Sequence, residues 1–306
     1  MTGVRVTRVL RWGPAPAKLN LALELTGRRP DGYHEILAVS QTIDWSDVVA
    51  LEGDDGHMGP STPAGPELQV WGPEAENVPR GIDNIAIRAA VLLRNSGLGP
   101  PISRLALEKR VPPQSGLGGG SADAAAVLRL AAAGADQGQL ELIALQCGAD
   151  VPFSLRGGAC LLGGIGEKMS PLPPLRTGAF LVVVLAAVAT AAAYAATADA
   201  DFSDGSRVQR LASALREGSS PDPELFGSGL QPSAMRAVPI LEERLRRLIE
   251  ATPGAGWAMT GSGGAFFSYQ PDGRAAAALA RKVAPACPGA GLRVVVPFPG
   301  RLGRDA

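Results

Sequence analysis

A chain of 306 residues, with 46% apolar and 19% charged side chains, is long enough to bury a core without staples and falls into one large domain or two. Its 29 Lys+Arg balance 29 Asp+Glu, and no run of like charge supplies the basic stripe on which a nonspecific nucleic-acid binder depends. Three scattered cysteines (Cys147, Cys160, Cys287) and only two histidines argue against a disulfide scaffold, a zinc site or a His-rich metal centre, so a reducing compartment, the cytoplasm, is expected.

In chain order, residues 1–12 carry Arg5, Arg8 and Arg11 but no apolar run suited to a signal peptide. Residues 15–25 alternate as a strand, Gly27-Arg-Arg-Pro-Asp-Gly32 is a turn cluster, and 36–43 reads as a second strand. A Gly/Pro/Asp loop is expected at 53–66. Ile85, Ala89, Leu92 and Leu93 follow a polar start and predict a helix over 83–95. A strand at 102–111 runs straight into a glycine cluster, and helices follow at 121–133 and 140–147. Three prolines within 171–174 mark the natural boundary, giving domains 1–170 and 171–306.

Residues 179–198 hold no charge over the nominal length of a membrane helix. Strong hydrophobes are confined to 180–185 and the remainder is mostly alanine, so a short buried strand and an alanine-rich helix from about Thr190 are expected instead of a span. A loop at 218–223, an amphipathic helix at 240–249, a strand at 265–269, a helix at 275–283 and a strand at 292–296 complete the chain. Strands and helices interleave without a strict β-α-β beat, which favours α+β or mixed α/β over a doubly wound sheet.

The segment Pro112-Pro-Gln-Ser-Gly-Leu-Gly-Gly-Gly-Ser-Ala-Asp123 is the most informative. Gly116, Gly118, Gly119 and Gly120 let backbone approach a ligand closely, and they precede a helix whose expected cap is Ser121. A helix start offers unpaired N–H groups and partial positive charge, the natural seat of a polyphosphate. The Lys-[Ser/Thr] ending of a P-loop is missing, as is the later acidic residue of a dinucleotide fold.

The motif Pro112-x-x-x-Gly-Leu-Gly-Gly-Gly-Ser-Ala-Asp resembles the second motif of the GHMP small-molecule kinases, among them galactose, homoserine and mevalonate kinases. Pro16-Ala-Lys-Leu-Asn-Leu and Met259-Thr-Gly-Ser-Gly-Gly-Ala-Phe agree with that family in order and spacing. Gly27-Arg-Arg-Pro-Asp-Gly-Tyr-His-Glu-Ile36 and Gly148-Ala-Asp-Val-Pro-Phe153 narrow the resemblance to the 4-diphosphocytidyl-2-C-methyl-D-erythritol kinases of the non-mevalonate isoprenoid pathway. It runs almost continuously over 16–166 and thins until Met259. The resemblance implies a two-domain α+β GHMP kinase fold, an active site in the interdomain cleft, and phosphorylation of the substrate's 2-hydroxyl by Mg²⁺–ATP. Another small-alcohol kinase of the same superfamily, or a noncatalytic nucleotide-binding relative, is the alternative; a monomer or homodimer is expected, with neither membrane nor nucleic-acid partner.

Residue by residue, the resemblance makes Asp150 the base that takes the hydroxyl proton and Lys18 its cationic neighbour beside the transferring phosphoryl. A positioned base contributes a factor of about 10²–10⁴. By themselves the two read as a loop cap and a snorkelling strand lysine. Pro112, Gly116, Leu117, Gly118, Gly119, Gly120, Ser121 and Asp123 belong to the ATP loop. Asn84 and Lys109 resemble nucleotide contacts, and equally read as a helix cap and a strand-end lysine. Tyr33 and His34 would hold the cytosine with Tyr194 on its other face, and Asn20, Gly261, Ser262 and Gly263 would contact the remainder of the substrate. Metal ligands are not assigned. The match is weakest over 199–256, where Gly227-Ser-Gly-Leu-Gln231 replaces the family's usual Asn-Asp-Leu-Glu helix start and puts helix capping there in question.

Overall fold

The computed structural model describes residues 8–54 and 65–298. Residues 1–7 and 299–306 lie outside these, as do residues 55–64 of the expected 53–66 loop. Two long strands, β1 (Arg8–Arg28) and β2 (His34–Asp54), pair antiparallel around the predicted turn cluster. Both exceed the predicted strands, because apolar alternation marks only the stretch where faces are buried, whereas the ladder continues through Arg11 and Glu52 toward solvent.

The first half continues with β3 (Glu67–Trp71), α1 (Ile85–Ser96), β4 (Ile102–Glu108), α2 (Gly119–Ala131), α3 (Gln137–Cys147), α4 (Val151–Arg156), β5 (Ala159–Gly164) and β6 (Lys168–Leu172). In the second half come β7 (Ala179–Val184), α5 (Thr190–Ala195), α6 (Ser206–Arg216), β8 (Gly227–Ser228), α7 (Gln231–Ala237), α8 (Ile240–Ala251), β9 (Ala258–Met259), β10 (Ala265–Gln270), α9 (Gly273–Ala286) and β11 (Gly291–Val295). Helix α6 has no counterpart in the sequence reading. Its buried Val208, Leu211, Ala212 and Leu215 are spaced i, i+3, i+4, i+7, a stripe obscured by the polar residues between.

A mixed sheet runs β3-β4-β2-β1-β8, with β5 and β6 attached through β2. The length of β2 makes this arrangement: its 48–53 portion pairs with β4 and its 36–41 portion with β5. The chain leaves this sheet at Leu172 and enters a four-stranded antiparallel sheet, β11-β7-β10-β9, at Ala179. Short β8 then returns to lie parallel to β1 at Ala22 and Leu23. The architecture is α+β.

Packing ties the halves together. Ala15, Val49, Leu105 and Leu107 bury against α1, α2 and α3, while Leu19, Leu21 and Ile43 share a core with Phe180, Val182, Phe267 and Leu211. Another cluster joins Leu23, Leu25 and Phe153 to Leu181, Val183, Leu230 and Phe266. The centre of β1 is therefore covered on both faces, and whatever polar group it carries must find a partner in the interior. Among the described residues no helix is long and apolar enough to cross a membrane, and the uncharged 179–198 stretch divides into β7 and α5 as predicted.

Candidate active site

Lys18 and Asn20 stand on β1 between register shifts at Pro16/Lys18 and Asn20/Ala22. Such bulges re-aim side chains out of strict alternation. Both residues are buried, so their polar ends need partners, and they meet each other: the Lys18 ammonium donates to Asn20 Oδ1. Asn20 Nδ2 donates to Ser40 Oγ at 2.7 Å, and the Asn20 backbone N–H donates to Thr260 Oγ1 at 2.8 Å. Lys18 Nζ also lies 3.4 Å from Asp150 Oδ2.

Asp150 occupies the cap position of α4 without making a side-chain cap bond, which leaves its carboxylate free to face Lys18. The lysine side chain is 7% exposed and the aspartate side chain 40%. The cation is thus held by the interior while the carboxylate opens onto solvent. Val151 and Phe153 beneath it are buried, and they anchor the short helix that presents it.

The glycine loop closes over this pair. Gly118 has φ 71°, the left-handed region, and begins α2 two residues earlier than the sequence suggests. Ser121 is therefore not the cap; once Gly118 supplies the turn, the Ser121 hydroxyl is left on the cavity wall. A Cβ at Gly118 would sit 3.1 Å from Lys18 Cγ and Cε, so the lysine stem passes where any side chain would stand. The Lys18 N–H donates to the buried Leu117 carbonyl at 2.9 Å, fixing the loop to β1.

A second glycine segment meets the first. A Cβ on Gly116 would lie 2.5 Å from the Thr260 carbonyl, and one on Gly261 would lie 2.8 Å from the Gly116 carbonyl. Backbone bonds from Ala265 to Ser115 (2.9 Å) and from Val188 to Gln114 (2.7 Å) complete the seam. Ser228 Oγ donates to the Gly261 carbonyl at 2.7 Å and accepts from Leu230 N–H at 3.2 Å. That serine closes the turn before α7, but Leu230 holds the helix's own cap position with no side-chain cap bond, so the divergent Gly227–Gln231 stretch does lack one.

Between these parts lies a cavity of about 300 Å³. Its wall includes Lys18, Asn20, Asp150, Pro112, Gly116 and Gly118, and continues through Gly119, Gly120, Ser121, Tyr194, Gly261 and Ser262. Leu23, Ile85, Pro113, Gln114, Ser115 and Thr190 also contribute and were not anticipated. Pro113 to Ser115 could have been inferred from their place inside the glycine motif; Leu23, Ile85 and Thr190 carry no chemical signal and become wall only through packing.

Other expected contacts lie elsewhere. Lys109 and Asp123 do not reach the wall: Lys109 donates to Asp47 and, at 2.6 Å, to Asp123, with all three buried behind the loop. Asp47 Oδ1 also accepts from the Arg110 and Val111 N–H groups at 2.6 and 2.8 Å. Burial lowers the Lys109 ammonium, but the charges and hydrogen bonds of Asp123 and Asp47 outweigh it and hold the lysine above its usual range. Burial, only partly countered by Lys109, together with the Asp47 charge pushes the Asp123 carboxyl upward. Asn84 is occupied as the cap of α1, accepting from Ala86 N–H and donating to the Pro79 carbonyl. Leu117 is buried with its side chain off the wall, and Gly263 faces Ala234 and Met259.

Tyr33 is 61% exposed and outside the cavity wall. His34, its neighbour and the first residue of β2, is buried beside Tyr194, ring centroids 5.2 Å apart. Burial and then the Asp150 charge raise the Tyr194 phenol. The His34 Nε2 atom is buried without a partner among the described residues.

Comparison with known proteins bears on this geometry. The GHMP kinases N terminal domain matches residues 84–158. The 4-diphosphocytidyl-2-C-methyl-D-erythritol kinase of Pelotomaculum thermopropionicum is 36% identical over 267 residues, covering 84% of this chain and 88% of its own length. The chain belongs to the 4-diphosphocytidyl-2-C-methyl-D-erythritol kinases. A crystal structure of 4-(cytidine 5'-diphospho)-2C-methyl-D-erythritol kinase superposes on this kinase with a TM-score of 0.71 at 32% identity, covering 94% of this chain and all of the other. Homoserine kinase from Cytophaga hutchinsonii shares the fold, with a TM-score of 0.68 at 18% identity over 98% of each chain.

Proposed function

We propose that this kinase transfers the γ-phosphoryl group of ATP to the 2-hydroxyl of 4-diphosphocytidyl-2-C-methyl-D-erythritol, a cytoplasmic step of isoprenoid precursor synthesis. The observation that carries the reading is the Lys18–Asp150 pair, 3.4 Å apart on the wall of the cavity that the glycine loop closes. The substrate hydroxyl gives its proton to Asp150 as its oxygen bonds to the γ-phosphorus. The bond from that phosphorus to the β,γ-bridging oxygen breaks, and ADP leaves. Lys18, beside that carboxylate, offsets charge on the transferring group. Positioning and electrostatics supply most of the catalysis in such transfers.

The N–H groups that open α2 and the backbone of Gly118 to Gly120 receive the phosphates, with the Ser121 hydroxyl beside them. Mg²⁺, bound with the nucleotide, would supply positive charge against the phosphates, and Ser121 on the wall is the protein group that would help to hold it. Among the described residues no cluster of three His, Cys, Asp or Glu side chains could hold a metal ion.

On the acceptor side, exposed Tyr33 and half-buried Tyr194 offer two ring faces, and His34 offers a buried, unpartnered nitrogen for a pyrimidine edge. Base stacking on an aromatic ring is worth about 1–3 kcal/mol. The reading is tested by ADP release with the cytidyl substrate against mevalonate, homoserine and galactose, in parent and Asp150→Asn. Turnover confined to the cytidyl substrate and reduced at least about a hundredfold by Asp150→Asn, with ATP binding retained, is expected. Near-normal turnover of the variant removes the assigned base, and turnover of a smaller alcohol at equal efficiency removes the assigned substrate.

A further inference from the structure

His34 is one of two histidines in the chain and is 7% exposed. A buried nitrogen without a partner is costly unless something that binds supplies one. Its value to a ligand depends on direction, because an imidazole nitrogen bonds in the plane of its ring. What fixes that plane is therefore part of the recognition.

Two rings flank the imidazole. Tyr194 lies on the cavity wall and is tilted 43° to it. Phe202, like His34 itself, is absent from the wall, and it stacks on His34 nearly parallel, at 13° with centroids 5.9 Å apart, an offset arrangement that aromatic rings favour. Phe202 is itself held from two sides. It bridges Leu25 of β1, and the next residue, Ser203, donates its N–H to the Leu25 carbonyl at 2.8 Å. The turn before it, Asp199–Asp201, is closed by the Ala198 N–H to Asp201 Oδ2 at 2.9 Å. Arg236 of α7 pairs with the same Asp201 and donates to the Ala196 carbonyl at 2.8 Å. A ring anchored this firmly, touching His34 and not the cavity, suits a support.

We propose that Phe202 is a positioning residue for base recognition: it holds the His34 ring in the plane from which Nε2 meets the pyrimidine edge, and so sets the preference for a cytidyl over a uridyl acceptor. This rests on the cytidyl reading given above. Cytosine presents an amino donor and an N3 acceptor where uracil presents a carbonyl acceptor and an N3–H donor. A neutral imidazole nitrogen held in one tautomer and one plane pairs with one pattern and opposes the other. A ring free to tilt loses that discrimination.

The test uses the full chain as Phe202→Leu, Phe202→Tyr and His34→Ala, with kcat and KM measured for the cytidyl substrate, its uridyl counterpart and ATP. The imidazole C–H resonances of His34 are followed by NMR in a His57→Gln background, where His34 is the only histidine. Phe202→Leu is expected to raise KM for the cytidyl substrate about tenfold, to reduce the cytidyl preference, and to move the His34 resonances downfield as the stacked ring is lost. kcat and the KM for ATP should stay within about twofold. Phe202→Tyr, which keeps the stacked ring, restores all three. If the resonances move while KM and preference do not, Phe202 only packs and the proposal falls. If KM rises with the resonances unmoved, Phe202 touches the ligand directly and the positioning role falls. If His34→Ala raises the cytidyl KM but Phe202→Leu does not, the proposal alone fails; if His34→Ala has no effect, histidine reading of the base fails and takes the proposal with it.

Discussion

Lys109→Met separates a structural lysine from a nucleotide-binding one. In the structure Lys109 is the cation between two buried carboxylates, Asp47 and Asp123, which stand on β2 and on the first turns of α2. Asp47 also receives the Arg110 and Val111 N–H groups, so the cluster grips the chain just before the glycine loop and just after it. Removing one partner of a buried pair leaves an uncompensated charge and costs about 3–5 kcal/mol. Whole proteins are stable by only about 5–15 kcal/mol, so the loss is a large fraction of the total. Asp123 lessens the damage to some degree, because burial and the Asp47 charge already push its carboxyl toward the protonated form. Asp123→Asn, which imitates that form, should therefore stay within about 1 kcal/mol of the parent. Urea unfolding of both variants, with steady-state KM for ATP, is the assay. The reasoning is refuted if Lys109→Met unfolds at the parental midpoint while its KM for ATP rises tenfold or more, for then the lysine meets nucleotide and the clamp is idle.

Three further outcomes are expected. Tyr33→Ala should raise the KM for the cytidyl substrate by about 5–150-fold, the equivalent of one stacked base, and leave the KM for ATP nearly unchanged; equal effects on both would remove the stacking role. Gly118→Ala forces a side chain into φ 71° and to within 3.1 Å of the Lys18 stem, so a stability loss of about 1–2 kcal/mol with a fall in kcat should appear in urea unfolding and turnover; parental values in both would show that the loop tolerates a Cβ. Burial first, then the Arg28 charge, lowers the His34 pKa below its usual 6.5. Below pH 6.5 the unfolded chain thus binds the proton more readily, so His34 contributes stability that is present above that pH and is lost as pH falls toward the folded value. Unfolding midpoints between pH 7.5 and 5 should fall less steeply for His34→Gln than for the parent, and identical slopes would refute the shift.

What could be read from the chain follows from how local each signal is. The strand that bears Lys18 and the glycine cluster before α2 are written in consecutive residues, as are β7 and α5, and all appear where the patterns put them. The start of α2 was misread at Ser121, because a left-handed Gly118 begins the helix with no side-chain cap. A serine at a helix entry is a strong but not a decisive mark. Lys109 shows a signal that is not local at all. Its partner Asp47 is 62 residues away in the chain. No spacing rule joins a lone aspartate in one strand to a lysine at the end of another, and only the register that lays β2 against β4 at Val48 and Glu108 brings them side by side. Phe202 is hidden for the same reason, in a segment whose pairing with Leu25 has no sequence mark.

The two glycine segments show why motif order carried so much without revealing geometry. Each reads locally as a loop that could lie against a phosphate. In the fold they lie first against each other: the space a Cβ would need at Gly116 is taken by the Thr260 carbonyl, and that at Gly261 by the Gly116 carbonyl. A side chain at either position would therefore have to part the seam from Ser115 to Ala265 before it met any ligand. Since Thr260 also receives the N–H of Asn20, whose side chain receives Lys18, parting the seam would release the lysine from one of its supports. Glycine at these positions is required by the packing that supports Lys18. The glycine loop and the strand that presents Lys18 hold their geometry as one unit, and a substitution at Gly261 should lower kcat through Lys18.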